Sequence, residues 1–378
     1  MRNTSRFLAS LLVAGLGMWS SAAVSRGKPP PPSPDIVYMS DDGSTQALSQ
    51  SAVRGVALES GSDLSIQKSK AGREYQSIAW SPDGRRAAWI EIGRGIVSPP
   101  HSIVVAAPGS KPVSVYTSVS GDGKPQVNTG VDVLAWGRDC TDEAASVLVF
   151  SSYSPFGVFG IRFVNDLPSE PVQLMALAVG SGMWFSPTAF AFSPTGQHLA
   201  FAGSGNDSSY GVWILPMCTA DHTPFKVLSE TEVAGTGLAP VMSIDWSRHG
   251  DRLALSVTTG PDPDNFPWRD LKIVELSYLY DSITDTEQVT GHGVPWTIDV
   301  TSQFGSASSE HSPQWGPSTL GATCQRLAFS QSSDSSGRRM FLLDIGDGEF
   351  GNCGINSLKN HLFKYNITDR LCGFTYSH

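Results

Sequence analysis

The chain has 378 residues, a formal charge of −9, 38 glycines and 25 prolines, and only 16% of its residues are charged. Glycine is abundant and charge falls well below the ~25% of an ordinary globular chain, which favours many turns and short strands over long solvated helices. Collagen, coiled coil and wholesale disorder are excluded, and a chain this long buries roughly three quarters of its unfolded surface without a metal or disulfide staple.

At the start, Arg2 and Arg6 precede a mainly apolar run over 7–19, and the small residues Ser20, Ser21, Ala22 and Ala23 follow. This is the three-part layout of a secretory signal peptide, and the run is too short to span a bilayer. The expectation is removal of 1–23, an extended proline-rich tail over 24–35 whose prolines fix φ and donate no hydrogen bonds, and an exported chain, periplasmic or secreted, with no membrane span. Losing the two arginines leaves 24 basic residues against 35 acidic ones, a balance of −11. Such a charge repels phosphate backbones, and the basic pairs at 85–86 and 338–339 read as solvated turns, so no nucleic-acid partner is expected.

One segment then returns five times: SIAWSPDGRRAAW from Ser77, VLAWGRDCTDEAASVLVF from Val133, AFAFSPTGQHLAF from Ala189, SIDWSRHGDRLAL from Ser243 and SPQWGPSTLGATCQRLAF from Ser312. Its anchors are Trp80, Trp136, Phe192, Trp246 and Trp315, and the last spacing is lengthened by an insertion between about 282 and 311. Duplication explains such regularity. Each copy reads as a hairpin: an apolar strand, a turn, and a second strand ending at Trp89, Phe150, Phe201, Leu255 or Phe329. In Ser81-Pro82-Asp83-Gly84 and Ser193-Pro194-Thr195-Gly196, proline presets φ at the first corner and glycine accepts positive φ at the end.

A third apolar run follows each hairpin, as in SIVVAA from Ser102 and GVWIL from Gly211, and a weaker fourth usually comes after it. Four strands per unit without helical periodicity is the blade of a β-propeller, and a blade with two apolar faces is buried only by its neighbours. The segment from Ile36 reads as third and fourth strands lacking the first two, and the segment from His361 as first and second strands lacking the rest. The expected fold is therefore all-β: a six-bladed propeller of four-stranded antiparallel blades over 36–378, closed by N- and C-terminal strands that share one blade.

The W-S-P-D-G turn followed by an R-x-A-F/W strand resembles the TolB-like repeat of exported propellers, clearest over 80–89, 192–201 and 246–255. The copies at Trp136 and Trp315 depart from it, with Gly137 and Gly316 in place of the turn serine. The resemblance implies a six-bladed periplasmic propeller that often serves as a protein-docking platform.

Four residues before the anchors stand Gln76, Asp132, Thr188, Met242 and His311, with Glu74 and Glu310 close by. At the start of innermost strands these should ring one channel mouth, and Glu74, Gln76, Asp132, Glu310 and His311 form the candidate ligand site. His198, where sister copies carry Arg86, Arg252 and Arg326, reads as a solvated strand start, and His249 as surface. Long connections often carry binding residues. The candidate partner-binding positions are accordingly Trp184 and Phe185, then Asp262, Asp264, Phe266 and Trp268 in the 260–270 loop, then His292 and Trp296 in the 282–311 connection.

Five cysteines, Cys140, Cys218, Cys324, Cys353 and Cys372, allow two bridges with one thiol left over. Cys324 with Cys353 and Cys353 with Cys372 are the pairs that placement suggests, while the remaining pairings stay open. No C-x-x-C or H-x-x-x-H spacing occurs, so neither metal nor cofactor is expected. Gly346-Asp347-Gly348-Glu349-Phe350-Gly351 fits a dinucleotide fingerprint in letters only, because no helix follows and two acids would face the pyrophosphate. The leading expectation is a non-enzymatic exported platform for a protein partner in the envelope or outside the cell. The alternative is a carbohydrate- or peptide-active lyase or hydrolase at the channel mouth.

Overall fold

A computed structural model describes residues 36–41, 51–57, 62–68, 70, 72–93, 100–118, 131–153, 156–176, 187–204, 209–219, 222–233, 241–260, 268–281, 286–298, 309–317, 324–333, 337–346 and 370–376. All of them fall in one unit, Ser33–His378. The expected leader and tail, 1–35, lie outside the described residues.

The N-terminal strands are β1 (Ile36–Asp41), β2 (Ser51–Ala57) and β3 (Ser62–Gln67). A second sheet holds β4 (Arg73–Trp80), β5 (Ala87–Gly93), β6 (His101–Ala106) and β7 (Val113–Thr117). The third holds β8 (Val131–Arg138), β9 (Ala145–Tyr153) and β10 (Phe156–Val164), with β11 (Leu167–Pro168) and β12 (Val172–Ala176) both pairing with β10. The fourth holds β13 (Ala189–Phe192), β14 (His198–Ser204), β15 (Tyr210–Pro216) and β16 (Phe225–Ser229), and a single helical turn, α1 (Glu230–Val233), follows it. The fifth holds β17 (Val241–Trp246), β18 (Arg252–Gly260) and β19 (Trp268–Asp281), with β20 (Thr286–His292) and β21 (Trp296–Ile298) both on β19. The sixth holds β22 (Ser309–Pro317), β23 (Cys324–Ser333) and β24 (Gly337–Gly346), and β25 (Arg370–Tyr376) returns to the first sheet.

Every pairing is antiparallel, and one register recurs. The residue two before the anchor faces the second strand's large residue: Ile78 opposite Trp89, Leu134 opposite Phe150, Phe190 opposite Phe201 and Ile244 opposite Leu255. Alternate residues of a strand point to opposite faces, and here both faces are apolar, so the core is a series of layers between sheets. One layer joins Val37, Val53 and Ile66 to Ile78, Trp80 and Trp89; the next joins Ala79, Ile90 and Ile103 to Leu134, Trp136 and Phe150. Further layers join the third sheet to the fourth, the fourth to the fifth and the fifth to the sixth.

The serine turns form as the residue types dictate. In the first, the Ser81 amide donates to Arg86 O (2.8 Å), Gly84 has φ +68°, and the buried Ser81 Oγ accepts from the Arg86 amide (2.8 Å). Ser193 and Ser247 repeat the arrangement, their hydroxyls accepting from the His198 and Arg252 amides. Ser247→Ala leaves the Arg252 amide without its side-chain acceptor in a buried turn and should cost about 1–2 kcal/mol. Urea unfolding of both forms checks this, and equal midpoints would contradict it.

Three expectations are corrected. The first sheet runs β25-β1-β2-β3, so the C-terminal segment contributes one described strand and the N-terminal segment three, in place of two and two; Ile36 stands opposite Tyr376. The 282–311 stretch is no simple loop. Strand β19 is 14 residues long, and the chain returns along it as β20 and β21, so His292 faces Leu276 and Trp296 faces Ile273.

His198 is not solvated: it is 5% exposed and stacks on Trp246 of the next sheet at 6.1 Å between centroids. Arg86, at the same repeat position, lays its guanidinium over Trp136 of its next sheet at 5.1 Å, and Arg252 and Arg326 are buried as well. At Arg86 and His198 a cation or imidazole at the start of the second strand therefore spans the layer to the next sheet.

The bridge among the described residues joins Cys140 to Cys218, one of the pairings the sequence left open, with Cα atoms 5.7 Å apart. Cys140 sits in the long hairpin turn of the third sheet and Cys218 just beyond β15 of the fourth. Cys353 lies outside the described residues. Around the same turn, Arg162 Nε donates to Asp139 Oδ2 (2.5 Å) and Arg162 Nη2 to Asp142 Oδ2 (2.9 Å). Burial pushes the Asp139 carboxyl up, yet hydrogen bonds from Thr141 and Arg162 outweigh it and hold the group below the usual carboxylate range. Closing a loop with a sequence separation of 78 constrains the unfolded chain. Cys140→Ser with Cys218→Ser should lower stability by about 2–4 kcal/mol. Denaturation with and without reductant measures it, and identical curves would refute the estimate.

Candidate functional site

Beside one another lie β4 and β8, β8 and β13, β13 and β17, β17 and β22, β22 and β25, and β25 and β4. The residue just before each anchor, on five of these strands, lines one cavity of about 220 Å³: Ala79, Ala135, Ala191, Asp245 and Gln314. Anchors and near neighbours supply apolar walls, including Trp80, Trp136, Phe190, Phe192 and Trp246. Arg138 and Arg248, both exposed and both two residues past an anchor, stand where the cavity meets the hairpin turns.

Asp245 is the acid among these lining residues. Strand β17 holds it opposite Ala254, and the Trp315 amide on β22 donates to its Oδ2 at 2.5 Å. Burial pushes its carboxyl up to about 7, against the opposing hydrogen bonds from the Trp315 and Trp246 amides. An acid whose pKa is raised on folding is ionised more readily in the unfolded chain. Its penalty is absent below the ordinary carboxylate range, grows between about pH 4 and pH 7, and is complete above that. Asp245→Asn should therefore be more stable than the parent at pH 8, by at most about 4 kcal/mol, and no more stable at pH 4. Parallel stability curves across pH 4–8 would contradict the assignment.

Sequence reasoning missed Asp245, although the first three repeat copies carry alanine at this place and the fourth aspartate. The sites it singled out lie toward the other ends of the strands. Glu74 and Gln76 are on β4, with Gln76 Nε2 donating to Glu74 Oε1 at 3.0 Å. Asp132 is on β8, opposite no residue where the ladder is shifted between Val131 and Leu134; Glu310 and His311 on β22 face Gln331 and Ser330. The side chains of Asp132, Glu310 and His311 lie outside the description, as do those of Trp268 and Trp296. Trp184, Phe185, Asp262, Asp264 and Phe266 fall wholly outside the described residues. His292 Nε2 lies 3.3 Å from Glu232 Oε1, tying β20 to α1.

The bulged end of the innermost strands is also where neighbouring sheets are clasped. His101 Nδ1 lies 3.0 Å from Val131 O, and Tyr210 Oη donates to Val241 O at 2.8 Å while accepting from the Val241 amide. Each clasp reaches from a third strand to the next innermost strand five residues before its anchor. Thr188 also donates to Val241 O, at 2.7 Å. Among the described residues no group of three or more His, Cys, Asp or Glu is arranged to hold a metal ion, and no helix is long and apolar enough to cross a membrane.

No family model matches the chain, and no curated protein matches it either. Solved structures similar to it include TolB from Acinetobacter baumannii, at 11% identity and TM-score 0.46, covering 90% of this chain and 66% of that one. The chain thus spans slightly under two thirds of that protein's length. A periplasmic gluconolactonase from Pseudomonas aeruginosa is similar at 12% identity and TM-score 0.47, covering 82% and 78% of the two chains. An oligogalacturonate lyase from Vibrio parahaemolyticus is similar at 11% identity and TM-score 0.45, covering 82% and 79%.

Proposed function

We propose that the six sheets are the blades of one closed propeller in an exported protein, and that its loop-bearing face binds a protein partner in the cell envelope or outside the cell, without catalysis. The strand order supports this reading most directly. In an antiparallel sheet of this order, the link from second to third strand and the link to the next sheet both leave from the end where the innermost strand begins. The 177–186 segment, with Trp184 and Phe185, is a link of one kind, and 261–267, with Asp262, Asp264 and Phe266, is of the other. They flank the adjacent strands β13 and β17 to β19. Aromatic side chains beside acids suit a protein or peptide surface, since tryptophan and tyrosine dominate interface energetics. Export accords with the Cys140–Cys218 bridge, because disulfides persist in oxidising compartments.

The test is capture of a partner by the chain lacking 1–23, repeated with Trp184→Ala, Phe185→Ala and a shortened 261–267 link. The reading expects loss of the partner at an unchanged unfolding midpoint. Retention of the same partner by all variants would overturn it.

One observation favours the catalytic alternative. Ser77, next to Gln76, has φ +43° at a bulge in β4, and bulges and backbone strain concentrate beside active sites. Under that reading Glu74 with Asp132 or Glu310 would divide acid and base roles on an oligosaccharide or peptide, at a separation of roughly 5–10 Å. Glu74→Gln would then abolish turnover while leaving partner capture intact.

A further inference from the structure

We propose that the cavity before the anchors binds a small alkylammonium ion, paired with Asp245 and Gln314 and enclosed by the tryptophan and phenylalanine walls. This stands whether or not the loop-bearing face binds a protein. The cavity is made by a repeat position that is alanine in three sheets, which leaves open space, and Asp245 and Gln314 in the next two, which make the space polar at one side. Its volume of about 220 Å³ equals several waters at ~30 Å³ each, room for a compact organic ion.

The charge pattern selects the sign of the ligand. Among the described residues Asp245 has hydrogen bonds only from backbone amides and no ion-pair partner. The charged and titratable groups nearby are engaged elsewhere: Arg86 lies over Trp136 and pairs with Asp166 at 3.1 Å, His198 on β14 stacks against Trp246, and Arg252 on β18 pairs with Glu275 at 3.4 Å. Arg138 and Arg248 are exposed at the mouth, where the high dielectric of water weakens their field. A carboxylate drawn partly out of water without a counter-charge is costly, and an entering cation offsets that cost. Aromatic rings attract cations through the negative potential of their faces, and Trp80, Phe190 and Phe192 contribute to the lining beside Trp136 and Trp246, over which Arg86 and His198 already lie. An inorganic cation would gain little from such walls, while a methylated or alkylated ammonium uses both the acid and the rings.

Isothermal titration at pH 7.5 in low salt tests this, using methylammonium chloride and n-butylammonium chloride, with sodium chloride and sodium acetate as separate arms. Tryptophan fluorescence is followed in parallel. The expected result is millimolar or tighter binding of at least one ammonium ion with a fluorescence change, weakened at least tenfold in Asp245→Asn. That variant keeps an acceptor for the Trp315 amide, and thermal unfolding confirms that it folds. Ala135→Val, which fills the space and keeps the acid, should weaken binding too. No heat and no fluorescence change with the parent chain, equal binding in Asp245→Asn, or binding of acetate instead would each overturn the proposal.

Discussion

A chain ending at residue 369 should lose cooperative folding. Strand β25 pairs with β1 from Ile36 opposite Tyr376 to Asp41 opposite Arg370, and it also lies against β4 and β22. Without it, β1 presents a row of unpaired amides and carbonyls, and two neighbouring strands lose a covering element. A native domain holds only about 5–15 kcal/mol in reserve, and losing a strand that pairs with β1 and packs on β4 and β22 is of that order. The expected readout is a broad, non-cooperative transition in urea with a sharply reduced midpoint. Adding a peptide of residues 370–378 in trans should restore part of the stability. A truncated chain with the parent's midpoint would refute the role given to β25.

Phe150→Ala should be the most damaging point substitution in the third sheet, at about 3–5 kcal/mol. Its side chain is fully buried, with ring centroids 4.7 Å from Tyr116 and 5.6 Å from Phe159, in the layer shared with the second sheet. Removing the ring takes away apolar burial and leaves a cavity between two sheets that are each fixed by their own ladders, so collapse is limited. Phe150→Leu should recover most of the loss. Urea titration at constant slope measures both, and a cost below about 1 kcal/mol for alanine would mean that the layer relaxes as a loose interface.

The hairpins, their turns and their common register were legible because the serine, proline and glycine of each turn and the aromatic at each strand end act within a few residues of sequence. What acts between sheets was not. Arg86 and His198 look like polar strand starts until the next sheet brings Trp136 and Trp246 over them. Cys140 and Cys218 meet because a hairpin turn of one sheet abuts the end of a third strand in the next, a proximity with no local signature. The β20 strand reads as a polar loop because it is an edge strand, with Val289 its buried hydrophobic among the described side chains. Gly137 is a different lesson. It departs from the serine of other copies, and the structure gives the reason: a Cβ there would fall 2.1 Å from Phe192 Cγ. Asp245 was visible as the acid in a repeat column with three alanines, but only the flanking of β17 by β13 and β22 turns that oddity into a partly buried acid without an ion-pair partner among the described residues.

Strand β25 joins the C-terminal segment to the first sheet, where it pairs with β1. Hydrogen exchange of the peptide covering 370–376, followed by mass spectrometry in the folded protein at neutral pH, reads this directly. Slow exchange of the amides that face β1, comparable to those of β4, is the predicted result. Exchange of the whole peptide at the rate of an unstructured chain would contradict it.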